Sequence, residues 1–144
     1  AINRIWEKAR KKEIEIEMDA EDGLEEILIL RDPKWLCESL INVLDNAVKY
    51  SPVGSTVTIR AATTVSFLRL EVKDEGIGIP RENYHKVFQR FYRGEAPLVQ
   101  KEEGSGVGLY LARKIIEGHN GTISLDARRM TKEPGSVFVI QLPL

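Results

Sequence analysis

Two asparagines one helical turn apart, Asn42 and Asn46, stand in the segment Ile41-Asn42-Val43-Leu44-Asp45-Asn46-Ala47-Val48-Lys49-Tyr50-Ser51. Asparagine is a middling helix former, so a pair of them in a helix interior asks for a reason. At about 100° per residue, Asn42, Asn46, Lys49 and Tyr50 fall on one arc, and Leu36, Leu40, Val43, Leu44 and Ala47 take the rest of the circumference. The amide oxygen of Asn46 can coordinate Mg²⁺, a hard cation that takes oxygen ligands and keeps several waters. Lys49 can place an ammonium beside a phosphate, and Tyr50 can offer a ring to a purine. A merely solvated polar face fits this helix equally well.

Two glycine motifs follow. The first, Asp74-Glu75-Gly76-Ile77-Gly78-Ile79-Pro80, comes directly after an alternating strand pattern. Glycines there let backbone approach a flat ligand closely. Asp74 can accept a hydrogen bond from an exocyclic amine, which favours adenine over guanine. Taken alone, the motif is better explained by a strand-ending turn. The second, Gly104-Ser105-Gly106-Val107-Gly108-Leu109, precedes a helix, where backbone N–H groups and the helix dipole bind anions. It is not a P-loop, because no Gly-Lys-Ser/Thr follows. It is not a Rossmann fingerprint, because Leu109 stands where the third glycine belongs. A hinge before a helix is the bland alternative. Between the two motifs lies Phe88-Gln89-Arg90-Phe91-Tyr92-Arg93. Its aromatics would anchor a following loop to the core. Arg93 carries a planar charged fork suited to phosphate oxygens, whereas Arg90 reads as a surface residue.

The elements that must hold these residues are legible as periodicities. Residues 2–12 read as a helix, with Ile2, Ile5, Trp6 and Ala9 at helical spacing. Trp6 suits either the core or a contact with a partner helix. Residues 13–18 alternate as a half-buried strand, and 27–30 form a short buried strand. Asp32 as N-cap and Pro33 at the first turn open the asparagine helix, which Ser51-Pro52 and Gly54 close near Tyr50. Residues 56–61 and 67–73 alternate as a hairpin. Pro80 begins a short helix ending near Phe88. Residues 94–105 show no period and read as a long, functional loop. A helix from about Gly106 to Glu117 carries Leu109, Ala112, Ile115 and Ile116 on one stripe. Asn120-Gly121 is a turn, and 122–127 and 136–142 are two further strands. The sum is a single α/β (α+β) two-layer sandwich over residues 1–144, with a mixed sheet and helices on one face.

Composition narrows the function classes. Apolar residues are 42% and charged residues 30%, and 21 Lys and Arg stand against 22 Asp and Glu, for a net charge of −1. That balance supports neither a nucleic-acid footprint nor a membrane-binding face. No apolar run spans a bilayer and no signal-peptide pattern opens the chain. Cys37 is the single cysteine and reads as a small buried filler in a reducing compartment. Two histidines and one cysteine make no zinc-type cluster. His85 and His119 read as structural or surface residues. The absence of an initiator methionine before Ala1 suggests a domain of a larger protein.

In this order, the four motifs resemble the catalytic and ATP-binding domain of bacterial two-component sensor histidine kinases. That is the Bergerat ATP-binding fold, shared with gyrase B, the large heat-shock ATPase chaperones and the mismatch-repair protein MutL. Residues 42–51 look like the family's asparagine box, and 74–80 like its first glycine box. Residues 88–93 look like its phenylalanine box, and 104–109 like its second glycine box. The resemblance implies ATP and Mg²⁺ as ligands. It implies that Asn46 holds the metal with Asn42 nearby, that Lys49 and Arg93 serve phosphate, and that Tyr50 lies against adenine. Asp74 would read the adenine amine, supported by Gly76, Gly78 and Ile79. Tyr92 and the run Gly104, Ser105, Gly106, Val107, Gly108 and Leu109 would complete the nucleotide site, beneath a lid of about 94–105.

The ATP-hydrolysing relatives carry a glutamate base where this chain has Asn42. The resemblance therefore implies poor hydrolysis and transfer of the γ-phosphate to a histidine. That histidine would sit on a dimerisation and phosphoacceptor hairpin that this sequence lacks, with a response regulator downstream. The resemblance also implies a cytoplasmic domain of a parent protein in the bacterial membrane, with no nucleic-acid partner and no direct membrane contact of its own. An anti-sigma type serine kinase is the runner-up; the aromatics of 88–93 and the long lid argue against it. A nucleotide-binding or partner-binding domain without catalysis is the alternative from another class.

Overall fold

The structure is a computed structural model that describes residues 2–20, 33–89, 108–130, 132 and 134–143. Helix α1 (Ile2–Lys11) leads into strand β1 (Glu15–Ala20), and helix α2 spans Pro33–Tyr50. Strands β2 (Thr56–Thr63) and β3 (Phe67–Lys73) follow, then two 3₁₀ turns, Arg81–Asn83 and Lys86–Phe88. Helix α3 (Gly108–Gly118), strand β4 (Thr122–Leu125), a one-turn helix α4 (Ala127–Met130) and strand β5 (Val137–Pro143) complete the described elements. The expected strand at 27–30 and the Asp32 cap lie outside the described residues, as does the side chain of Cys37.

The five strands form one mixed sheet in the order β1-β2-β3-β5-β4. β1 runs parallel to β2, and the other three pairings are antiparallel. Strand alternation puts every second side chain on the same face, and the register aligns the apolar ones. Ile59 pairs with Val72, Ala61 with Leu70, Leu70 with Ile140, Leu68 with Leu142 and Ile123 with Ile140. All of these are buried. Against that face lie Ile5 and Ala9 of α1, Leu36, Val43, Leu44, Ala47 and Val48 of α2, and Ala112 and Ile116 of α3. This is the two-layer sandwich that the periodicities predict. A one-residue slip of β5 would carry Phe138, Ile140 and Leu142 to the opposite face, so burial itself specifies the register.

The opposite face is polar around β3, although Val137 and Val139 of β5 are buried there. Glu71 there accepts hydrogen bonds from Arg69 at 2.9 Å and from Arg129 of α4 at 2.8 Å. Burial alone would raise the Glu71 carboxyl, but the two guanidinium groups outweigh it and hold it below its ordinary value.

Helices α1 and α3 end alike. Each turns through a left-handed residue, Glu13 (φ 56°) and Asn120 (φ 64°). The next amide then reaches back, Ile14 to the Ala9 carbonyl at 2.8 Å and Gly121 to the Ile116 carbonyl at 2.9 Å. This is the Schellman arrangement.

Three local expectations change. The segment after Pro80 forms two 3₁₀ turns rather than one helix; only Val87 and Phe88 of these turns are buried, so little packing supports a continuous α-helix. β4 stops at Leu125, and α4 begins where Asp126 Oδ1 accepts the Arg129 amide at 3.3 Å, an N-cap contact. Trp6 is 46% exposed, because Ile5 and Ala9 take the inward face one residue away.

Phe138 is fully buried and meets Phe88 edge-on, with ring centroids 6.0 Å apart. Phe138→Ala is expected to cost about 3–5 kcal/mol of stability. A urea unfolding curve whose midpoint stayed at the parent's value would contradict that placement.

Candidate functional site

Helix α2 presents two faces. Its apolar residues enter the core, while Asn42, Asn46, Lys49 and Tyr50 remain half-buried along the other arc. A Cβ added at Gly108, the first residue of α3, would lie 3.9 Å from the Asn42 amide oxygen. Asn42 therefore faces the start of α3, and a helix N-terminus favours an anion. At the other end of the helix pair, Trp35 of α2 stacks on His119 just past α3, with centroids 3.7 Å apart and planes within 6°. The His119 Nδ1 sits 2.8 Å from the Ile115 carbonyl oxygen. His119 is thus structural, as its place at a helix end suggests, and His85 is exposed.

The second part of the site is a junction at the end of β3. Asp74 is 3% exposed. Its Oδ1 accepts the amides of Gly76 at 2.9 Å and Ser136 at 3.0 Å, and its own amide donates to the Ser136 carbonyl at 3.0 Å. Among the described residues nothing donates to Oδ2, which leaves that oxygen for a ligand. Burial pushes the Asp74 carboxyl above its usual range, and the two amides partly oppose that.

The glycines of the junction are there for space. A Cβ at Gly76 would strike the Tyr50 carbonyl oxygen, so the turn rests directly on the end of α2. Gly135 (φ 93°) faces the Asp74 carbonyl in the same way, and Gly78 (φ 73°) lies over Gly135. At Gly76 and Gly135 the close backbone contacts leave no room for a side chain, whereas Gly78 is favoured by its positive φ. Ile79 and Leu109 pack as partly buried residues on the core.

Lys49 departs from the simplest expectation. Its Nζ lies 3.1 Å from Asp45 Oδ2, and the other oxygen of that carboxylate takes Lys8 Nζ of α1 at 3.1 Å. Lys12 Nζ donates to the carbonyls of Val48 and Lys49 at 3.0 and 2.9 Å, occupying acceptors at the α2 C-terminus. Phe88 is buried at the end of the second 3₁₀ turn, against Phe138. Tyr92, Arg93, Gly104, Ser105, Gly106, Val107 and the lid at 94–105 lie outside the described residues, as do Arg90 and Phe91. Among the described residues no three His, Cys, Asp or Glu side chains form a metal cluster. A cation here would be held by amide oxygens and by its ligand's phosphates, a mode that suits Mg²⁺.

Residues 31–144 match the family described as histidine kinase-, DNA gyrase B-, and HSP90-like ATPase. The chain belongs to that family. It is 36% identical over 143 residues to the sensor-like histidine kinase SenX3 of Mycobacterium tuberculosis, covering 99% of this chain and 33% of SenX3. The mycobacterial sensor histidine kinase MprB superposes with a TM-score of 0.77 at 31% identity, over 99% of this chain and 92% of that one. Histidine kinase ThkA, solved in complex with the response regulator TrrA, gives a TM-score of 0.71 at 25% identity, over 99% of this chain and 39% of that one. The chain spans about a third of the length of the curated relatives it matches first. The fold is therefore the Bergerat fold of histidine kinase catalytic domains.

Several residues of this candidate site carry little or no local sequence signal. Gly135 and Ser136 hold Asp74 from 62 positions away; the local signal was a Pro-Gly turn entering a strand. Asp45 was readable as an i,i+4 partner of Lys49. Lys8 and Lys12 carried no signal, because their role depends on how α1 packs on α2.

Asp74→Asn is expected to keep the fold, since an amide oxygen can still accept from Gly76 and Ser136. A carboxyl raised on folding adds stability that is full below the ordinary carboxylate range and is lost as pH rises through the raised value. At neutral pH the variant should therefore melt no lower than the parent. Its affinity for adenosine should fall at least about tenfold, as expected when a buried, charge-assisted hydrogen bond is lost. Calorimetric melting and adenosine titration read the two effects separately.

Proposed function

We propose that this chain is the ATP-binding, phosphate-donating domain of a sensor histidine kinase in two-component signalling. The observation that carries this reading is Asp74, a buried carboxylate gripped on one oxygen by amides from two separate segments. Such a fixed acceptor fits the exocyclic amine of adenine and disfavours guanine, which offers a carbonyl there. Its place in a chain of the histidine kinase ATPase family, beside an arc of Asn42, Asn46, Lys49 and Tyr50, supports ATP as the nucleotide.

In this reading Tyr50 lies against the adenine. Lys49, Arg93, Gly108 and the preceding glycine run draw the phosphates toward α3, with Tyr92 and Leu109 closing the site beneath the 94–105 lid. The amide oxygen of Asn46, with Asn42 beside it, would hold Mg²⁺, which when bound offsets phosphate charge. Asn42 cannot take a proton from water at neutral pH, so that position supplies no base for hydrolysis. The γ-phosphate is instead kept for a histidine on a dimerisation and phosphoacceptor domain. An imidazole nitrogen bonds to the γ-phosphorus as the bond to the bridging oxygen breaks. ADP departs with that oxygen, and the imidazole proton passes to water. Such transfer needs positioning and charge neutralisation more than covalent chemistry by the protein. A response regulator would then receive the phosphoryl group.

No helix among the described residues is long and apolar enough to cross a membrane. The domain would work on the cytoplasmic side of a membrane-bound parent.

Calorimetry with a non-hydrolysable ATP analogue tests the core of this reading. Binding is expected to be adenine-selective over GTP and strengthened by Mg²⁺. Asn46→Ala should lose the Mg²⁺ dependence and keep the adenosine affinity. With a histidine-bearing hairpin supplied in trans, the phosphorylated product should be acid-labile. Equal competition by GTP would sink the role of Asp74, and an acid-stable product would point to serine.

A further inference from the structure

Three lysines meet one helix at the phosphate side of the site, and only Lys49 lies on the asparagine motif. The Asp45 carboxylate is divided between two ammonium groups, Oδ1 to Lys8 on α1 and Oδ2 to Lys49. The side chains of Lys8, Asp45 and Lys49 are 39%, 29% and 21% exposed. Pairs this open to water add little to stability. Their consequence lies in which partner each charge can take.

While the Lys49 ammonium rests on Asp45, that carboxylate holds it back from a phosphate and offsets part of its charge. Leaving Asp45 would strand a carboxylate beside an incoming polyphosphate of the same sign, unless another cation stays with it. Lys8 is that cation. It already holds the other oxygen, so Asp45 remains paired after Lys49 departs. Lys12, just past the end of α1, is bonded to the carbonyls of Val48 and Lys49. It fixes α1 against the residue whose side chain must move, and Ile5 and Ala9 bury the adjoining face of α1.

We propose that α1 belongs to the phosphate site, with Lys8 as a positioning residue that neutralises Asp45 and so releases Lys49 from it to the nucleotide phosphates. This rests on the reading above that Lys49 meets phosphate. It adds a residue outside the asparagine motif and assigns Asp45 as the brake on Lys49.

The test is isothermal titration of adenosine and of ATP with Mg²⁺ into the chain and its variants Lys8→Ala, Asp45→Asn, Lys8→Ala/Asp45→Asn and Lys49→Ala. Adenosine affinity is expected to be the same in all five, since Asp74 is untouched. Lys8→Ala should weaken ATP by about fivefold, the scale of an exposed charge pair. Asp45→Asn should strengthen ATP, and in its background Lys8→Ala should have no further effect. A purely structural role for Lys8 would move adenosine and ATP together and would persist in the Asp45→Asn background; either result overturns the proposal. Undiminished ATP affinity in Lys49→Ala overturns it too, while the adenine reading stands on the adenosine titration. If the parent chain binds no adenosine, the adenine reading falls and this inference with it.

Discussion

The grip on the Asp74 carboxylate is the constraint on which the rest of the site depends. A carboxylate that is almost wholly removed from water is costly unless its charge is met by hydrogen bonds. Here one oxygen is met twice, by Gly76 from the turn that follows β3 and by Ser136 from the entry to β5. Those two segments must touch the same atom, and they can do so only without side chains in the way. Hence the close backbone packing of Gly76 on Tyr50, of Gly135 on Asp74 and of Gly78 on Gly135. The junction ties the sheet to the C-terminus of α2, so one acceptor sets the position of the whole asparagine arc relative to the strand ends.

Helix α2 then serves two layers at once. Its inward arc completes the core against the sheet, and its outward arc carries the polar groups of the site. Neither could shift without the other. A rotation that improved the approach of Asn46 to a ligand would pull Val43 and Ala47 out of close-packed contacts, which cores resist. Both ends of the helix are tied down. Trp35 meets the end of α3 through His119, and Lys12 caps the far carbonyls. Between those points Asn42 faces the start of α3 across a short gap. The floor of this arrangement is packed and fixed, whereas at its rim Lys8 and Lys49 share the Asp45 carboxylate.

Much of this was legible in the residues alone. The alternation at 56–61 and 67–73 specified a hairpin, and the structure pairs those strands antiparallel. The stripe Leu109, Ala112, Ile115 and Ile116 specified the inward face of α3, of which Ala112 and Ile116 are fully buried. The asparagine arc is where its spacing put it. What could not be read were contacts between distant segments. The i,i+4 geometry of a helix is carried by sequence spacing, but the meeting of residues 74 and 136 is carried by strand order. Short segments were also misjudged. The segment after Pro80 buries only Val87 and Phe88 and forms 3₁₀ turns, and Asp126 ends β4 by capping α4.

The sequence by itself determined the periodic elements, the family and the residue types of the site, because side-chain period, turn chemistry and motif order are local properties of a chain. Only the tertiary structure decided which backbone amides grip Asp74, and that Lys49 rests on Asp45 with Lys8 behind it. Those choices depend on the packing of α1 on α2 and on the placement of β5 beside β3. Such packing is the outcome of burying one common apolar face, and the polar partners at its edges are whatever that burial brings within reach.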